Sequence, residues 1–250
     1  MTMKMRPQNG FTLVEMAIVL AVIALLLGSG LTLLSIQQEQ RSIEDTKAIL
    51  NDAQEALLGY AIANGRLPCP ATLSSNGVEA PIGGTGPTIS CTSPLNGFLP
   101  AVTLGLSNVD ANGYLQDAWR LTQNRIRYTV TTANTRAATT TDGIKAVTMS
   151  GFTADLHVCD SATVVTGTHC GTATTLSSNA VAVIFSLGAN ATRGGTGTDE
   201  SANLNGDPVF VSHAIAYTKD NPTNGEFDDQ LTWLSQYTLF NRMVQAGKLP

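Results

Sequence analysis

The chain has 250 residues, a formal net charge of -5 and only 13 % charged residues, against roughly 25 % in ordinary soluble domains. An acidic balance with no basic stripe excludes a protein that holds nucleic acid by charge, so no nucleic-acid contact is expected. With 43 % hydrophobic residues, the length suffices for one sizeable core, or for one core plus a membrane segment.

A short polar leader carrying Lys4 and Arg6 ends at Gly10, and Phe11-Thr12-Leu13-Val14-Glu15 follows. No charge occurs from Met16 through Gln38. That run exceeds the roughly 20 residues that cross a bilayer as a helix. Two positive charges before it favour a cytoplasmic leader and place the rest of the chain on the far side. An ordinary secretory signal would have a short apolar core and a small-residue cleavage site. Gly28-Ser29-Gly30 offers small residues, but a cut there explains neither the length of the run nor Glu15 at its start. A plain single-pass anchor is the other alternative.

Gly10-Phe11-Thr12-Leu13-Val14-Glu15 resembles the signal of type IV prepilins and type II secretion pseudopilins, with the match firmest over residues 7–36. The resemblance implies cleavage between Gly10 and Phe11 by prepilin peptidase and N-methylation of Phe11. It also implies assembly with other pilin or pseudopilin subunits on an inner-membrane platform, with Glu15 guiding assembly. Chemistry supports that last role, because cleavage creates an amine on Phe11 four residues from Glu15. Glu15 and the amine of a neighbouring subunit would neutralise one another away from water and fix the register. The expected organisation is a leader over 1–10, a transmembrane and assembly helix over 11–36, an amphipathic continuation over 37–65 and a β-rich periplasmic domain over 66–250. The expected location is the inner membrane, single-pass with the C-terminal domain periplasmic, and a cell-surface pilus after assembly.

Beyond Gln37 the residues turn polar, yet Ile43, Leu50, Ala53, Leu57 and Ala61 keep helical spacing. Glu39, Arg41, Glu44, Asp45 and Lys47 occupy the other faces. Asn64-Gly65 is a C-terminal cap and Pro68 prevents continuation. One helix from near Phe11 to near Ala63 is therefore expected. Gly28 and Gly30 are its weak points, at about 1 kcal/mol each against Ala.

Residues 68–112 read as a long loop, with Gly97 through Leu106 docking on the helix. Strands are expected around Ile126, Tyr128 and Val130, around Val181, Val183 and Phe185, from Phe210 to Tyr217, and from Ile144 to Met149. The Thr-rich stretch from Thr131 to Thr141 reads as a solvated hairpin. A final helix is expected over Ser235–Ala246, with Leu239, Phe240, Met243 and Val244 as its apolar stripe. An antiparallel sheet with one polar face needs a cover, which the amphipathic half-helix supplies. The fold class is α+β and pilin-like: a long N-terminal helix packed on an antiparallel β-sheet, with long disulfide-stapled loops. Asp117-Ala118-Trp119 with Tyr128, and Ser186-Leu187-Gly188-Ala189-Asn190 with Gly194, Gly195, Gly197 and Asp199, are similar to stretches of the type II secretion major pseudopilin. Arg120 stands where that family has Gly.

In an exported domain four cysteines default to two disulfides, and three connectivities are open. Their spacing leads us to expect Cys69–Cys91 and Cys159–Cys170. His157, Cys159, His169 and Cys170 are the competing zinc set, although they lack a recognised ligand spacing. His213, alternating with Val211 and Ile215, reads as structural. Two loops are crowded with oxygen ligands: Asp199, Glu200, Asn203, Asn205 and Asp207, then Asp220, Asn224, Glu226, Asp228 and Asp229. Hard oxygen donors at short spacing suit calcium, and the resembling pseudopilins hold calcium in their C-terminal loop. Asp199, Asn203, Asn205, Asp207 and Asp228 are the candidate ligands, while turn-making is the bland alternative. No other cofactor is implied. No nucleophile elbow, zinc-protease motif or phosphate loop is present, so the chain does not read as an enzyme. The leading reading is a structural pilin or pseudopilin subunit. The rival is a membrane-anchored periplasmic binding protein that never polymerises.

Overall fold

The computed structural model describes residues 12–82, 90–121, 124–195 and 197–249, with backbone alone for 26–36 and 82. The expected processing site at Gly10 and Phe11 lies outside the described residues. The chain divides into two units, Met1–Ser42 and Ile43–Pro250.

Helix α1 spans Leu13–Asn64, and its backbone runs unbroken through Gly28 and Gly30. In the first unit the described apolar side chains are exposed, from Leu13 at 88 % to Leu25 at 76 %. Among the described residues, no helix is long and apolar enough to cross a membrane. The expected span 11–36 includes Phe11 and the side chains of 26–36, which lie outside the description.

In the second unit α1 buries Leu50, Ala53, Leu57, Leu58 and Ala61, the apolar positions set by helical spacing. Gly65 closes the helix in the left-handed conformation (φ +68°), and its N–H donates to the Ala61 carbonyl at 2.8 Å. The expected long loop carries three short strands: β1 (Pro81–Ile82), β2 (Ser90–Cys91) and β3 (Gly97–Phe98). Leu99 and Ala101 join the α1 core, as the docking of 97–106 requires. Strand β4 (Arg127–Val130) and strand β6 (Thr175–Ser186) form where alternation indicates them. β6 pairs antiparallel with β4 on one side and with β8 (Gln230–Ser235) on the other. From Ala180 onward β6 is buried with a core on each face, which explains its continuous Ala180-Val181-Ala182-Val183-Ile184-Phe185 run.

The remaining elements correct the sequence reading in several places. The Thr-rich stretch is not a solvated hairpin. It holds a single turn, α2 (Ala133–Arg136), with Asn134 and Thr135 in the left-handed region. Thr131 and Thr139 are buried, and Ala137 and Ala138 enter the core. The Thr131 hydroxyl finds a protein partner in the Asp155 carboxylate, so it does not need water. The strand expected over Ile144–Met149 is instead a turn, α3 (Gly143–Ala146), that buries Ile144 against α1 residues. Phe210–Tyr217 is a strand only over β7 (Val209–Val211), after which His213 turns its ring onto Phe227. The sheet is not wholly antiparallel, because β5 (Leu156–Cys159) and β7 run parallel. Its second face is not polar either. Val183, Phe185, Leu156, Val158 and Phe210 form a core there, covered by Leu187 and Ala191.

Helix α4 (Thr198–Leu204) occupies what reads as an acidic loop, and α5 (Gln236–Gln245) ends the chain. α5 is capped by the Ser235 hydroxyl, which accepts from the Thr238 N–H at 3.2 Å. Leu239, Phe240 and Met243 are buried, whereas Val244 is 44 % exposed and not part of the stripe. Gln54 ties α1 to β8, donating to the Trp233 carbonyl and accepting from the Thr232 hydroxyl.

Both expected disulfides are present, Cys69–Cys91 and Cys159–Cys170. Every cysteine is paired, so the zinc reading has no thiolates left. The bridges close loops of 22 and 11 residues, each worth about 3 kcal/mol in the chain-entropy model. Replacing Cys69 and Cys91 together by Ala should lower stability by about that amount, read by thermal or denaturant unfolding. Non-reducing peptide mapping should recover both pairs.

Candidate functional site

Two places carry chemistry. The first is the start of α1. Glu15 Oε2 accepts from the Thr12 N–H at 3.4 Å, and the Thr12 hydroxyl oxygen accepts from the Glu15 N–H at 3.2 Å. This is a reciprocal capping box, which satisfies two of the donors that a helix start leaves free. The Thr-x-x-Glu spacing was legible in the sequence, but Glu15 was read there only as an assembly residue.

The second is a carboxylate cluster in the C-terminal third. Glu200 lies in the first turn of α4, where the helix dipole favours an anion. Asp228 and Asp229 immediately precede β8. One oxygen from each of the three lies within 4.8 Å of the others. Asn190 clamps the group: its N–H donates to Asp228 Oδ2 at 3.1 Å and its side-chain amide to Glu200 Oε1 at 2.8 Å. Asn203 donates to Asp229 Oδ2 at 2.7 Å. Asp228 Oδ1 is buried without a hydrogen-bond partner.

Burial pushes the Asp228 carboxyl up to about 7, opposed by the Asn190 N–H and reinforced by the charge of Glu200. Burial also raises Asp229 well above the carboxylate range, with the Asn203 amide acting against it. Burial thus favours protons on Asp228 and Asp229, a role that a cation could take in their place. Three carboxylates and an orphaned buried oxygen fit a hard, oxygen-seeking ion such as calcium. Glu200, Asp228 and Asp229 would hold it, and it would supply the positive charge that lets Asp228 and Asp229 ionise beside Glu200.

Of the sequence candidates, Asp228 lies in the cluster. Asn203 positions Asp229. Asp199 instead accepts from the Ala162 N–H at 2.6 Å and faces His213 Nε2 at 3.1 Å. Asn205 and Asp207 bond to one another in a turn before β7. Glu200 and Asp229 were named in the crowded loops but not chosen, because adjacency in sequence does not show which carboxylates converge.

The two pseudopilin-like stretches are joined. Asp117, 1 % exposed, accepts from the Ser186 hydroxyl at 2.5 Å and from the Asn124 side-chain amide at 2.8 Å. Asn124 also donates to the Gly188 carbonyl at 2.5 Å. Gly188 sits in the left-handed region against Asp228. A hydrogen-bonded path thus runs from Asp117 to the turn that backs the cluster. Tyr128 is buried and donates to the Pro68 carbonyl at 3.1 Å.

Residues 5–34 match the model of the prokaryotic N-terminal methylation motif. The chain therefore carries a prepilin- or pseudopilin-type N-terminal signal, which points to a pilin-like structural class. No curated protein and no solved structure matches the chain.

Proposed function

We propose that this chain is a pilin or pseudopilin subunit of a type IV pilus or type II secretion pseudopilus. Prepilin peptidase cuts it between Gly10 and Phe11, Phe11 is N-methylated, and the apolar half of α1 packs with other subunits after storage in the inner membrane. The observation that carries the reading is the methylation motif over residues 5–34. The exposed apolar side chains from Leu13 to Leu25 support it, since such a surface needs lipid or other helices as cover. The capping box adds a step. Glu15 bonds to Thr12 in the single chain, and the cleaved amine of a neighbouring subunit offers it a charged partner in the filament. One observation favours the plain-anchor rival: capping alone gives Glu15 a local use. Sheared surface filaments should contain the processed chain, and cells lacking prepilin peptidase should hold the full-length form in the membrane. Absence of the chain from the filaments, with the unprocessed form alone in the membranes of cells that have the peptidase, would favour the anchor.

We further propose calcium at Glu200, Asp228 and Asp229, ordering the C-terminal loops. The raised carboxyls fix the pH dependence. Between about pH 4 and pH 7 folded Asp228 holds a proton that the unfolded chain has lost. The folded state then binds more protons, so ion-free stability should fall as pH rises through that window, and the Asp228 contribution to the fall ends above it. Asp229 adds to the fall in the same direction. Calcium should bind more tightly at pH 8 than at pH 6 and should flatten the fall. Melting curves at several pH values, with calcium or chelator, check both expectations.

A further inference from the structure

A cleft of about 480 Å³ opens beside the sheet, lined by Arg125, Arg127, Phe98, Leu187, Leu204 and Leu73 among others. Its described lining contains no acidic residue. Arg125 and Arg127 stand two apart, so they project to the same side, but their charges are treated differently. Arg125 is 8 % exposed, lies over the Tyr114 ring and is paired with Asp110 at 2.8 Å. Among the described residues Arg127 has no direct ion-pair partner. Its guanidinium lies 4.4 Å over the Phe98 ring, and Nη1 donates to Asn96 Oδ1 at 3.2 Å. Its Nε is buried and donates to nothing. Burial lowers the Arg127 pKa, and the charge of Asp229 acts against this without a direct ion pair.

A partly buried guanidinium without a direct ion pair adds little to the fold, and a protein keeps one where function needs it. Here the charge faces a cleft with apolar walls, in the size range of ligand pockets. One free guanidinium suits a single negative charge. Its planar fork suits a carboxylate, and Asn96 already holds the fork in orientation. We propose that this cleft binds a monoanionic organic carboxylate, with its head on Arg127 and its apolar body against Leu187 and Leu204. A free organic acid and the acidic side chain of an apolar peptide offer the same chemistry. The proposal is independent of filament assembly.

The test is thermal melting and calorimetry of the full chain in non-ionic detergent. Hexanoate is one probe, a blocked Leu-Leu-Glu tripeptide the second, and hexanol the neutral control. Hexanoate should raise the melting temperature saturably, and hexanol should not. A response to hexanoate alone assigns a free acid, whereas a tripeptide response at least as strong assigns a peptide-borne carboxylate. Arg127→Met should raise the melting temperature of the ligand-free chain while weakening the response about tenfold or more, the loss of a charged hydrogen bond. Leu73→Asp, at a position 71 % exposed and safe for folding, places a rival carboxylate on the cleft lining and should weaken the response in the same direction. No response to either carboxylate, an equal response to hexanol, or an unchanged response in both variants would overturn the proposal.

Discussion

Glu15→Gln should leave the start of α1 intact and cut the ratio of filament-associated to membrane-retained protein by about tenfold or more. The capping box accepts Gln as well as Glu at its fourth position, so the bonds to Thr12 survive the change. The charge does not survive it. In a packed apolar core the Phe11 ammonium of a neighbouring subunit would then be left unpaired, and breaking a buried pair costs about 3–5 kcal/mol. Glu15→Ala removes the cap as well, at about 1 kcal/mol, and should be impaired at least as strongly. Glu15→Asp keeps the charge with a shorter reach and should fall between. The measurement is the filament-to-membrane ratio for each variant, with helix content checked separately. Normal incorporation of Glu15→Gln with failure of Glu15→Ala would show that the residue serves the helix start alone. Normal incorporation of both would favour the plain anchor.

Gly188→Ala should be the most damaging single change in the C-terminal loops. Gly188 has φ +66°, a conformation that costs a non-glycine residue about 1–2 kcal/mol. A Cβ there would also meet the Asp228 carboxylate and press on the Asp228 carbonyl oxygen, a backbone atom that no rotamer change moves aside. Overpacking of that kind adds about 1–3 kcal/mol. The damage should reach the carboxylate cluster, since Asp228 is its least shielded member, and it should pull on the Asn124 bond that leads to Asp117. Gly188→Ala should therefore unfold at lower denaturant and lose any gain from calcium. An equivalent insertion at Gly105, also left-handed but with open space around it, should show the conformational penalty alone. Equal losses at the two positions would mean that contact with Asp228 contributes nothing.

The parts of the fold legible in the sequence are those whose pattern is set by one neighbour. α1 presents one apolar stripe to one partner, so Leu50, Ala53, Leu57 and Ala61 announce it. α5 is readable for the same reason apart from Val244, whereas β4, with Tyr128 and Val130, and the core of β6 are readable from their own alternating or continuous apolar runs. The missed elements answer to several neighbours at once. β5 alternates Leu156 and Val158 around His157 but is only four residues long and bulged. β8 reads as Gln-Leu-Thr-Trp-Leu-Ser, and its apolar residues serve both faces of a sheet expected to have one. The Thr-rich stretch looked solvated because hydroxyls usually seek water. Here backbone and carboxylate partners inside the fold take them instead. The disulfide pairs followed from spacing, whereas the carboxylate cluster did not. Which acids converge depends on α4 and β8 meeting through Asn190, a long-range contact with no local signature.

The mature N-terminus is the most direct test of a prepilin-type signal in this chain. Intact-mass and peptide mass spectrometry of the chain recovered from its native membranes should find a polypeptide beginning at Phe11 and carrying an added methyl on its amine. Loss of Lys4 and Arg6 with the leader shifts the formal charge from -5 to -7, which isoelectric focusing should register independently. A chain that keeps residues 1–10, or one cut after Ser29, would contradict that processing.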